Sequence, residues 1–220
     1  MAGPDWALQA GVDTVGREAC VPKRLVDLFG TVALGFLASP VIVIAALSIR
    51  LSSKGPILYK QARIGRGSRT FTALKFRTMW MNADEGLNDH LTKDPSLRQQ
   101  WQSLNKLKND PRVTPIGMFL RRFSLDELPQ LWNIWIGDMS LVGPRPIVET
   151  EIEKYGQDYA AYERVRPGLT GLWQVSGRND TTYQQRVDYD SYYVQNWSLW
   201  LDAKILARTV RAVISGVGAY

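Results

Sequence analysis

Hydrophobic and polar positions fall into two regimes along this chain. From Leu28 to Ile49 the sequence reads LFGTVALGFLASPVIVIAALSI, an uncharged run that reaches roughly 33 Å as a helix, enough to cross a bilayer. Lys23 and Arg24 precede it and Arg50 and Lys54 follow it, so the positive-inside rule gives neither end a reason to be translocated. Its middle carries Ser39-Pro40, and proline there removes a backbone hydrogen bond and clashes with the preceding turn, dividing the run into two arms. A broken helix that enters and leaves on the cytoplasmic side satisfies both flanks. A straight spanning helix with a tolerated proline is the alternative. Acidic Asp5, Asp13 and Glu18 precede the run, so it does not read as a cleaved signal.

After the apolar run the period changes. Pro56 to Tyr59 and Phe71 to Phe76 read as short strands of a hairpin, separated by the basic, turn-rich Arg63-Ile-Gly-Arg-Gly-Ser-Arg69. Asp84 to Lys108 is polar with loosely helical apolar spacing interrupted at Asp94-Pro95, which predicts two helices. Ile116–Arg122, Leu128–Ile136, Ile147–Tyr155, Tyr183–Tyr193 and Leu199–Ile214 supply further helical patterns between Gly- and Pro-rich connections. The expected fold is mostly α with a minor β-hairpin. It divides into an N-terminal extension (1–21), a membrane anchor (22–54) and one compact catalytic domain (55–220).

Composition narrows the chemistry. The 220 residues carry a formal charge of +6, which favours anionic partners such as phosphates, nucleic acid or acidic headgroups. Cys20 is the only cysteine and His90 the only histidine, so one chain assembles neither a disulfide framework nor a Cys/His zinc site. A metal would be held mainly by carboxylates, which favours magnesium or manganese.

Candidate chemistry gathers in loops. Leu120-Arg-Arg-Phe-Ser-Leu-Asp-Glu-Leu-Pro129 sets the carboxylates Asp126 and Glu127 directly after two arginines. Ser124-x-x-Glu127 also spells a capping box, although Pro129 sits awkwardly inside a helix begun at Ser124 and favours a loop-to-helix junction. Gly137-Asp-Met-Ser-Leu-Val-Gly-Pro-Arg-Pro146 brackets Arg145 between two prolines, which suits either a preorganised guanidinium or a rigid surface turn. Val165-Arg-Pro-Gly-Leu-Thr-Gly171, Gln174-Val-Ser-Gly-Arg-Asn179 and Lys75-Phe-Arg77 add further cations among glycines and hydroxyls. Arg/Gly loops beside an acidic pair describe a metal–diphosphate site.

The set KFRTM, SLDELPQLWN, GDMSLVGPRP, VRPGLTGLWQVSGRN and NWSLWLD resembles the bacterial sugar transferases, or monotopic phosphoglycosyl transferases, and within them the branch that moves galactose phosphate onto undecaprenyl phosphate. The resemblance runs from about Pro22 to Tyr220. It implies a re-entrant helix broken at Ser39-Pro40, a cytoplasmic catalytic domain with interfacial amphipathic helices, and a place on the bacterial inner membrane. It further implies Asp126 as nucleophile, Glu127 associated with Mg2+, basic residues Lys75, Arg121 and Arg145, and Arg166 and Arg178 in the nucleotide-sugar region, with Arg77 a further substrate-binding cation. The partners implied are a UDP-sugar, undecaprenyl phosphate and the phospholipid membrane. The product would initiate an exopolysaccharide, capsule or lipopolysaccharide. Galactose is favoured over glucose, and a homodimer is left open. Many members of the branch carry extra N-terminal membrane helices, so the chain reads as a short form or a piece of a longer protein.

Two other classes fit parts of the sequence. Asp188-Tyr-Asp190 matches the D-x-D pattern of metal-dependent glycosyltransferases that release UDP, which makes Asp190 a substrate-site candidate. A basic nucleic-acid-binding membrane protein fits the charge, but the arginines are interrupted by Pro and Gly and do not line a helix face, so no nucleic acid is expected.

Overall fold

The structure, a computed structural model, describes residues 20–81, 83, 92, 98, 107 and 110–215. The helices expected across Asp84–Lys108 and nearly all of the N-terminal extension lie outside the described residues. The apolar run forms helix α1 (Cys20–Ser52), whose 33 residues span roughly 50 Å at 1.5 Å each. Among the described residues it is the one helix long and apolar enough to cross a membrane. Helical hydrogen bonding continues past Pro40, so the predicted break does not interrupt α1 as secondary structure. The reason is local: Ser39 Oγ donates to Phe36 O at 2.8 Å, the carbonyl that the missing amide of Pro40 would have bonded.

Both ends of α1 pack on the same domain. Near its start, Asp27 is buried and accepts from Ser140 Oγ and Leu141 N, each at 2.9 Å. Lys23 pairs with Asp202 at 2.7 Å, and Arg24 donates to the carbonyls of Ile134 and Trp135. Near its end, Ala45 and Ile49 join Phe76 and Leu120 in one apolar cluster. Arg77 then closes the exit, donating to Ser53 O, Ser53 Oγ and Lys54 O. Between these two anchorages Val32, Phe36, Leu37, Val43 and Ile44 are exposed.

Strands β1 (Leu58–Ile64) and β2 (Thr70–Phe76) form the expected antiparallel hairpin, with β1 reaching further than the sequence predicted and Arg63 lying inside it. Helices α2 (Pro115–Arg122) and α3 (Gln130–Ile136) follow, α2 capped by Thr114 and α3 ended by Gly137 at φ 95°. Asn133 of α3 completes the open edge of β2: its Oδ1 accepts from Leu74 N and its Nδ2 donates to Thr72 O. That asparagine acts as a short substitute strand and fixes α3 against β2. The sequence reading missed a second, parallel sheet, β3 (Ser140–Val142) with β4 (Gly168–Thr170). The predicted Ile147–Tyr155 helix contracts to a 3-10 turn and the short α4 (Ile152–Tyr155), because Ile147 is drawn into an antiparallel bridge with Ile64. After the short α5 (Tyr159–Tyr162), α6 (Tyr183–Gln195) and α7 (Leu199–Ser215) close the chain, and Tyr193 and Ile205 join Ile134, Met139 and Val142 in the main core.

Candidate active site

The acidic dyad sits on a 3-10 turn, Leu125–Glu127, between α2 and α3. The capping box predicted at Ser124 is not formed, because Ser124 adopts the left-handed conformation (φ 54°) and its side chain caps nothing. The reversal of the chain at Ser124 and the start of α3 after Pro129 leave Asp126 and Glu127 at the loop-to-helix junction. Docking of α3 on β2 then brings Lys75 onto Glu127: Nζ donates to Oε1 at 2.6 Å. Arg145 Nη1 lies 3.8 Å from the same oxygen.

These cations separate the two acids. Burial opposes the charge of Glu127, but Lys75, Arg145 and Arg178 outweigh it and pull its pKa down to about 2. Asp126 is pushed up to about 6, first by burial and then by the adjacent Glu127 charge, against the pull of Lys75 and Arg121. One carboxylate is therefore held ionised while its neighbour remains a stronger base, a division of roles that active sites use.

The cleft beside the dyad is lined by Lys75, Glu127, Gln130, Arg145, Gln174 and Arg63, the last of which the sequence reading had left in a turn. Arg63 donates to Pro146 O at 3.1 Å and so holds the Pro-Arg-Pro segment. Gly143, just before that segment, has no room for a side chain, since an added Cβ would lie 2.9 Å from Gly168 N. Arg178 faces the same group: it lies close enough for the charges of Glu127 and Arg145 to act on it. Arg121 donates from Nε to Thr78 Oγ1 at 2.9 Å, close enough to Asp126 to stabilise its charge.

Three expected residues fall elsewhere. Arg77 spends its guanidinium on the exit of α1, as above: it follows the last residue of β2, where Ser53 and Lys54 come within reach of its side chain. Arg166 donates to Gly137 O and lines a separate cavity of about 240 Å³ with Arg24 and Arg66 near the start of α1. Asp190 is buried on α6, accepting from Tyr155 Oη at 2.7 Å, and burial pushes its pKa up to about 7. Asp188, two residues away on the same helix, bonds Gln184 instead, so the D-x-D residues do not converge. Among the described residues no three His, Cys, Asp or Glu side chains cluster as a metal site. The donor set nevertheless suits magnesium, which takes one or two carboxylates together with substrate phosphate oxygens.

A family described as bacterial sugar transferase matches residues 18–216. The chain is 48% identical over 204 residues to an undecaprenyl-phosphate galactose phosphotransferase of Salmonella typhimurium, covering 93% of this chain and 43% of that protein. It is 46% identical over 200 residues to the exopolysaccharide production protein ExoY of Sinorhizobium fredii, covering 91% and 88%. It is 41% identical over 206 residues to a UDP-glucose:undecaprenyl-phosphate glucose-1-phosphate transferase of Caulobacter vibrioides, covering 90% and 72%. The chain thus spans less than half the length of the Salmonella relative.

Proposed function

The chain belongs to the bacterial sugar transferase family, and from that premise we propose that it transfers a hexose-1-phosphate from a UDP-sugar to undecaprenyl phosphate. The observation that carries this reading is the dyad itself: Glu127 lines a cleft with Lys75, which it bonds at 2.6 Å, and Arg145, and is held ionised there, while the adjacent Asp126 stays the stronger base. In the first half-reaction the Asp126 carboxylate attacks the sugar-bearing phosphorus, the bond to the bridging oxygen breaks, and UMP leaves with the electron pair. In the second, an oxygen of undecaprenyl phosphate attacks that phosphorus and frees the aspartate, giving a polyprenyl-diphosphate sugar. Lys75, Arg145 and Arg178 neutralise the oxygens on which charge accumulates. Glu127 would hold Mg2+ together with the donor's phosphate oxygens, where the ion would supply Lewis-acid charge neutralisation. Galactose is the proposed sugar, after the Salmonella relative, with glucose as the competing case after the Caulobacter one.

The membrane part of the reading rests on α1. A helix whose first turns bind β3 and whose last turns bind α2 and β2 of one domain is difficult to thread across a bilayer between those contacts. That favours a re-entrant anchor on the cytoplasmic face of the inner membrane, with both ends on one side. Exposed Met118 and Phe119 on α2 and Trp132, Trp135 and Ile136 on α3 suit headgroup depth, where the lipid phosphate lies. Product analysis with UDP-galactose, magnesium and undecaprenyl phosphate tests the assignment: UMP is expected, and UDP as the main nucleotide would overturn it.

A further inference from the structure

Arg145 is held in an unusual way for a phosphate-binding guanidinium. Its side chain forms no hydrogen bond among the described residues, and its one ion-pair contact, with Glu127, is at 3.8 Å. An aromatic ring stands beside it: its guanidinium carbon lies 5.6 Å from the centre of the Trp173 ring, within cation–π range. A cation–π contact takes up none of the five N–H donors of the guanidinium, so they remain available to an anion.

Trp173 is itself well fixed. It is buried, and its Nε1 donates to Thr181 Oγ1 at 2.6 Å. A second guanidinium, Arg186, lies 5.0 Å from the same ring and pairs with Glu151 at 3.1 Å. Glu151 also approaches Arg63 at 3.9 Å, and Arg63 holds Pro146 O, the carbonyl next to Arg145. The carbonyl of Trp173 accepts from Arg178 N at 3.3 Å. Trp173 therefore meets two of the three cations that act on Glu127, Arg145 through its ring and Arg178 through its backbone.

We propose that Trp173 is the positioning residue for Arg145, gripping the guanidinium by its face so that its N–H edge stays aimed at the donor's diphosphate. This rests on the phosphoglycosyl transferase reading above. The test is a double-mutant cycle in the full chain reconstituted with lipid, read by UMP release with UDP-galactose. Trp173→Leu should lower kcat/KM by about 10- to 100-fold, mostly through KM, and Trp173→Phe should recover most of that loss. In an Arg145→Met background the same substitution at Trp173 should cost less than about twofold, because the residue it positions is gone. Additive losses in the cycle would overturn the proposal, as would a Trp173→Phe variant no better than Leu. If Trp173→Leu fails to fold, the Phe variant and its cycle with Arg145→Met decide the question. Failure of the wild-type chain to release UMP would sink the function reading instead, and is separately visible.

Discussion

Lys75 Nζ and Glu127 Oε1 meet at 2.6 Å, joining the second strand of the hairpin to the turn that carries the acidic dyad. The contact keeps Glu127 charged, and that charge in turn raises its neighbour Asp126.

A pH profile should expose this chain of influence. In the proposed mechanism Asp126 must be ionised to attack, so kcat/KM for UMP release should fall roughly tenfold per unit as pH drops below about 6. Glu127→Gln removes the neighbouring negative charge and should move the acidic limb to lower pH, whereas Lys75→Met should move it higher. Limbs that stay in place in both variants would mean that another group controls the ionisation.

Asp126→Asn should abolish UMP release and the phospho-aspartyl adduct, lowering turnover by about 10³-fold or more. Its stability should move the other way. The folded pKa of Asp126 is raised, so its protonated form is favoured in the native state and its ionisation costs stability as pH rises from the unfolded value of about 3.9 to about 6. Glu127 is the opposite case: its depressed pKa contributes stability above the unfolded value of about 4.3, lost as pH falls toward 2. At pH 7.5 thermal unfolding of Asp126→Asn should therefore occur at an equal or higher temperature than wild type. Retained UMP exchange in the folded variant would remove Asp126 from the nucleophile's role.

Much of this was legible in the sequence, and the gaps have physical causes. The hairpin, α6 and α7 follow from period-2 and 3.6 patterns long enough to register. The β3–β4 sheet did not, because its strands are three residues each, largely buried, and set among Gly and Pro that read as turn. Ser124 looked like a cap because sequence spacing does not reveal a left-handed backbone. Arg77 and Lys75 look equivalent in sequence, yet β2 ends between them, leaving Lys75 on the dyad and Arg77 on a helix exit. Trp173 and Arg63 escaped notice since their roles depend on what the folded loops stack against; an indole inside an arginine-rich loop was the available signal.

Single cysteines placed near Lys23 and near Lys54 should label from the same side of sealed vesicles, with Cys20 removed. Labelling from opposite faces would establish a spanning helix. If this part of α1 lies in hydrocarbon as proposed, Ser39→Ala should lower stability in lipid by about 1 to 3 kcal/mol, since it leaves Phe36 O without its donor there.

Asp27→Ala should cost about 1 to 3 kcal/mol, because it strands the amide of Leu141 in a buried place and leaves the Ser140 hydroxyl with Val142 O as its remaining acceptor. The measurement is a denaturant or thermal midpoint in detergent, and a change within error would show that α1 is only loosely seated.

That seating sets a limit on how the enzyme can be handled or rewired. Asp27, Ala45 and Ile49 give α1 a share in the interior of the catalytic domain, so the helix is a wall of the building and not a tether to it. Clipping it off to obtain a water-soluble catalyst would open the β3–β4 sheet and an apolar cluster at once. Grafting the domain onto a foreign anchor would do the same, so the chemistry can be carried to another membrane only together with its own helix.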